Sequence, residues 1–143
     1  MKISHLFAAA AMAATIVTPA FADRLPMDRP ITINGITTVC TGIGEDARND
    51  PRWKAYPVRV EFSNGAAQYL AGGHVVLKKD GQELMSIDCS GTWVLFQLPD
   101  GHYSVTASLL YHKDQPPRSA SFTPPVHGQK RVVLEFSGVN PNE

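Results

Sequence analysis

From Tyr56 onward, apolar and polar residues alternate with a period of two. Val58, Val60 and Phe62 fall on one face and Arg59 and Glu61 on the other, the pattern of a half-buried strand. Residues 31–40 are dense in β-branched side chains and predict one or two short strands around Asn34-Gly35. Val75-Val76-Leu77 runs into Lys78-Lys79-Asp80-Gly81-Gln82. Asp80-Gly81 is a hairpin signal because both residues tolerate positive φ. Residues 84–89 form the return strand, and residues 92–98 another that ends at the turn Pro99-Asp100-Gly101. Residues 102–111 follow, with Tyr103, Val105, Ala107, Leu109 and Tyr111 on one face. A short strand at 119–123 lies between two proline pairs, and 130–136 closes the series with Val132, Leu134 and Phe136 inward. Seven to nine short strands, with turn signals roughly every ten residues, predict an all-β antiparallel sandwich.

The flanks read differently. Residues 23–30 are polar, carry two prolines and predict a loose N-terminal arm before a domain spanning 31–136. Residues 137–143 predict a flexible tail. Residues 41–55 form a long charged stretch in which 45–49 can make one helical turn before Pro51 stops it. A loop of this length is a candidate for function, and Arg48, Arg52 and Trp53 are its candidate binding residues.

The first 22 residues predict a cleaved signal peptide. Lys2 supplies the charge, residues 6–17 an apolar run too short to span a bilayer, and Ala20-Phe21-Ala22 a small-x-small cleavage site. The mature chain then begins at Asp23, in the periplasm or outside the cell. That compartment changes how Cys40 and Cys89 read. An even pair behind a leader points to a disulfide. A metal site built from both thiolates is the alternative, although neither cysteine has the neighbouring Cys or His of zinc-type spacing.

The 143 residues suit one domain, and 13 basic side chains balance 13 acidic ones. Nucleic-acid binders usually carry a basic excess, so that class is excluded. No second apolar run is long enough to span a membrane. Nothing in the pattern sets an oligomeric state.

One stretch resembles a known family. Gly91-Thr92-Trp93-Val94-Leu95-Phe96-Gln97-Leu98-Pro99-Asp100-Gly101-His102-Tyr103-Ser104-Val105-Thr106-Ala107 is similar to the signature of carboxypeptidase regulatory-like domains, which are transthyretin-like (prealbumin-type) sandwiches. Tyr69-Leu70-Ala71-Gly72-Gly73-His74-Val75-Val76-Leu77 resembles the strand that opens such domains. The likeness covers roughly residues 56–136. It implies structural roles: Trp93 and Leu98 in the core, Pro99 and Gly101 shaping the turn, and Tyr103 at a corner with its hydroxyl bonded to backbone. It also implies an accessory or adhesion module without catalysis of its own. Transthyretin-like hydrolases of the urate pathway end in Tyr-Arg-Gly-Ser, whereas this chain ends Val139-Asn140-Pro141-Asn142-Glu143, so their activity is not carried over.

Candidate chemistry is sparse. His74, His102, His112 and His127 form no local metal motif; a copper or zinc site assembled across strands, with Met27 or Met85, is the alternative reading. Glu45, Asp46 and Asp50 lack calcium-loop spacing. Asp88 and Ser90 with a histidine would be a hydrolytic triad, but no nucleophile elbow surrounds Ser90. The expectation is a non-catalytic envelope module, without cofactor or metal, recognising a protein or glycan. The alternatives are a periplasmic metal-binding protein and an inhibitor that inserts the 41–55 loop into an envelope enzyme.

Overall fold

The computed structural model describes residues 22–143, and nearly all of the expected signal peptide lies outside them. Among the described residues the chain forms ten strands: β1 (Asp23–Arg24), β2 (Ile31–Ile33), β3 (Ile36–Thr41), β4 (Val58–Ser63), β5 (Gly73–Lys79), β6 (Gln82–Cys89), β7 (Trp93–Phe96), β8 (Tyr103–Leu109), β9 (Arg118–Phe122) and β10 (Lys130–Glu135). One helical turn, α1 (Glu45–Arg48), and a 3₁₀ turn at Pro51–Ala55 lie between β3 and β4. Pro51 stops α1 as expected and opens the next turn, where Asp50 accepts the Arg52 backbone N–H.

The strands make two five-stranded sheets. The front sheet has the order β1-β6-β5-β8-β9 and the back sheet β10-β4-β7-β3-β2. Inward residues of both, among them Val58, Val60, Phe62, Val75, Leu77, Ile87, Val94, Phe96 and Val105, make one buried core. The sandwich is therefore as expected, and Asn34-Gly35 and Asp80-Gly81 turn their hairpins with positive φ.

Four expectations are corrected. The described residues form ten strands rather than seven to nine, because the expected arm contributes β1. The sheets are mixed rather than purely antiparallel, because β10 pairs parallel with β4 and β1 parallel with β6. β9 ends on the front sheet, and the chain then crosses to the open edge of the back sheet, so β10 arrives in the same direction as β4. The arm at 23–30 is docked. Leu25 is buried, its N–H bonds Asp88 O, and the Asp28 N–H bonds Cys40 O. The segment thus spans from β6 to β3 and covers the gap between the sheets, and Leu25 supplies the apolar anchor that a free arm would not need. The tail at 137–143 is anchored at one point: Val139 is 6% exposed, and its carbonyl accepts the Asn64 side-chain amide, while 140–143 are exposed.

Candidate functional site

The two outer faces of the sandwich differ. On the back sheet, Val39 and Leu95 point outward and would be wet if left bare. The 41–55 loop lies over them and seats Trp53 and Tyr56 against both residues in a second small core. Gln129 holds this cap by donating its side-chain amide to the Trp53 and Tyr56 carbonyls at 2.9 and 3.0 Å. Trp53 is only 3% exposed, so its ring caps the sandwich rather than facing solvent. Arg52 stacks on that ring at 4.4 Å and pairs with Asp50. Arg48 donates to Gly42 O and lies over Tyr69.

Beside the cap, Glu61 is 1% exposed although the alternation places it on an outer face. Arg131 reaches over from β10 and bonds both its oxygens at 2.5 and 3.1 Å, while Arg59 approaches at 3.4 Å and stacks on Trp93 at 4.1 Å. Burial pushes the Glu61 carboxyl up, but the Arg131 hydrogen bond, with help from Arg59 and Tyr69, outweighs it and holds the group below the usual carboxylate range. Strand periodicity did not reveal this pair because β10 lies seventy residues away in sequence.

Among the described residues the front sheet carries no such cap. Its register lines up the outward side chains of neighbouring strands: His74 opposite Asp88 and Ser108, Val76 opposite Ser86 and Thr106, and Ser119 and Ser121 beside Thr106 and Ser104. The face is therefore rich in hydroxyls. Thr106 and Ser119 share a hydrogen bond at 2.8 Å.

At one end of this face His74 Nδ1 lies 2.7 Å from Asp88 Oδ1, and His74 Nε2 lies 3.4 Å from Ser86 Oγ. With Nδ1 donating to Asp88, Nε2 is left to accept from Ser86. Asp88 was a triad candidate in sequence, but its partner is Ser86 rather than Ser90, which stands exposed in the turn after β6. Residues two apart on a strand share a face, and that signal was present in Ser86-Ile87-Asp88. The order of groups is that of a nucleophile relay. Acyl transfer also needs donors for the developing oxyanion and a cleft that holds the carbonyl, and Ser86 lines neither of the clefts on this face.

Those clefts lie at the two ends of β8. The larger, about 420 Å³, is lined by Asp80, His102, Tyr103, Ser104, Ser121 and Thr123, among others. The second, about 320 Å³, is lined by His74, Ser108, Leu110, Lys113, Gln115 and Pro117, among others. Tyr111 begins the loop beside the second cleft. It was expected to face inward, but β8 ends at Leu109. The Tyr111 ring packs over Gly72, where no Cβ would fit, and stays 63% exposed.

The remaining candidates fall as follows. Cys40 and Cys89 form a disulfide, with Cα atoms 5.5 Å apart. Trp93 and Leu98 are buried, and the Tyr103 hydroxyl donates to Pro99 O at 2.9 Å, the corner bond expected of it. Gly101 takes φ +154° in the same turn. Met85 is in the core, and Met27 lies against the disulfide. Among the described residues no three His, Cys, Asp or Glu side chains gather as metal ligands, and no helix is long and apolar enough to cross a membrane. Comparison of the chain with protein-family models and with curated proteins returns no match.

Proposed function

We propose that the chain is a secreted, transthyretin-like β-sandwich of the carboxypeptidase regulatory-like type that acts in the bacterial cell envelope as a non-catalytic binding module for a protein or glycan. One observation carries the reading: the back face is covered by the protein's own loop, whereas the front face is open, hydroxyl-rich and bounded by a cleft at each end. Serine and threonine hydroxyls both donate and accept, so such a face can match a polar surface without burying unpaired groups. Recognition therefore belongs to the front sheet rather than to the 41–55 loop. The leader-like first 22 residues and the disulfide support an oxidising location.

The test is capture of envelope components on the immobilised mature protein, run beside Thr106→Arg in the middle of the face and Arg52→Ala on the back. The reading expects the captured component to be lost with Thr106→Arg and kept with Arg52→Ala. Equal retention by both variants would overturn it.

A further inference from the structure

We infer that the front face takes a linear oligosaccharide with a carboxylate at one end, laid along β8 with that end in the cleft beside His74 and Lys113. The inference rests on the binding-module reading above and names its ligand class.

The track has a defined length. Ser104 lines the larger cleft, Ser108 lines the smaller, and Thr106 lies between them on the same face. Four residues of extended strand put the two clefts about 13 Å apart. A ligand touching both must be extended, and it meets hydroxyls from Ser104, Thr106, Ser108, Ser119 and Ser121 on the way. Sugar hydroxyls donate and accept as these do, so either partner can turn to suit the other. Val76 is the one apolar side chain of β5 on this face, and the apolar lining at Leu109, Leu110 and Pro117 is confined to the smaller cleft at its end.

The two ends are electrically different. Lys113 is the one formally charged side chain in the lining of the smaller cleft, and it makes no ion pair among the described residues. Asp88 reaches His74 from the β6 side and is occupied there. Gln115 adds an amide. A carboxylate placed here gains charge-assisted bonds. The larger cleft instead presents Asp80 with His102, Ser121 and Thr123, and Lys79 stands over its Tyr103 ring at 5.7 Å, so the cation there has a carboxylate in the same cleft whereas Lys113 has none in its own. Tyr111, exposed beside the smaller cleft and braced by Gly72, offers a ring against which the apolar C–H face of a pyranose can lie.

The experiment is calorimetric titration of the mature protein with cello-, malto- and chito-oligosaccharides oxidised at the reducing end to the aldonic acid. Each is run beside its neutral parent and beside a short polyglutamate. We expect at least one acid to bind and its neutral parent to bind about tenfold more weakly, the size of one charge-assisted hydrogen bond. Lys113→Ala should abolish that difference, and Thr106→Val should weaken acid and parent alike. Added salt should narrow the gap between acid and parent, because Lys113 is near the surface. Binding of no oligosaccharide, equal binding of acid and parent, or polyglutamate binding as tightly as the best sugar would overturn the inference. If the envelope capture still depends on Thr106 while every sugar fails, the module reading stands and the ligand class falls. If capture is insensitive to Thr106, the module reading itself fails.

Discussion

Cys40 and Cys89 bond the two sheets to each other: Cys40 sits on β3 of the back sheet, Cys89 at the end of β6 on the front sheet, with 49 residues separating them in sequence. The docked segment at 23–28 passes over this bridge, pairing with β6 at one end and β3 at the other. Closing a loop of that length restricts the unfolded chain by roughly 4 kcal/mol in the entropic account. Cys89→Ala should therefore lower stability by about 2–5 kcal/mol in urea denaturation. The oxidised protein should release no thiol to Ellman-type titration under denaturing conditions. Two titratable thiols in native material would remove the bridge.

Glu61 should make stability depend on acid pH. Its folded-state affinity for protons is depressed, so the unfolded chain binds a proton more readily than the folded one. The contribution is fully present above the ordinary glutamate range near pH 4.5 and is lost as pH falls through the lower folded value. Glu61→Gln should flatten the stability–pH curve below that range. Arg131→Ala leaves a buried carboxylate with Arg59 and Tyr69 beside it. Because Arg131 is itself 57% exposed, the expected cost is about 1–3 kcal/mol rather than that of a fully buried pair. An unchanged acid limb in Glu61→Gln would show that other carboxylates govern it.

The sandwich was legible in the chain because its cause is local. Period-two alternation, as in Val58-Arg59-Val60, and turn pairs such as Asp80-Gly81 act over a few residues, and the structure follows them closely. The parallel pairing of β10 with β4 was not legible, since it depends on which sheet edge is open after β9. How far Trp53 is buried was not legible for a similar reason. A charged neighbourhood says that the loop meets water, but only the outward Val39 and Leu95, on two distant strands, say that it must lie down. The His74–Asp88–Ser86 arrangement needed the β5–β6 register, which neither strand carries alone.

The turn from Leu98 to Tyr103 should be sensitive at two points. Tyr103→Phe leaves Pro99 O without its hydroxyl donor and should cost about 1 kcal/mol. Burial also pushes the Tyr103 phenol above its usual value, so the ring should resist ionisation in alkaline difference spectra. Gly101→Val should cost more, because a Cβ there meets Lys79 Cε at 2.9 Å and Tyr103 Cε2 at 3.2 Å, in a backbone geometry that β-branched residues resist. Thermal melts of both variants decide this, and two unchanged midpoints would remove the corner.

Ser86 should not be a nucleophile. His74 can accept its proton, but the outward face gives Ser86 no cleft. The mature protein should therefore remain unlabelled by a fluorophosphonate under conditions that label a serine hydrolase. Adduct formation at Ser86, abolished by His74→Ala, would make the protein an enzyme and overturn the non-catalytic reading.

Trp53 separates a structural cap from a binding loop. Its ring fills the small core with Val39, Tyr56 and Leu95, and its buried indole N–H has no acceptor among the described residues, so packing and the Arg52 stack hold it. Removing the ring exposes Val39 and Leu95 and leaves a void under the 3₁₀ turn. Trp53→Ala should then cost about 3–5 kcal/mol, as large-to-small changes in packed cores do. Arg48→Ala with Arg52→Ala removes only partly solvated contacts and should cost the least. Gln129→Ala frees the Trp53 and Tyr56 carbonyls and should fall between them. The ordering is the test, read as urea midpoints on the oxidised protein. A Trp53→Ala variant that melts like the parent but loses its envelope partner would return the loop to the role of recognition and leave the front face without one.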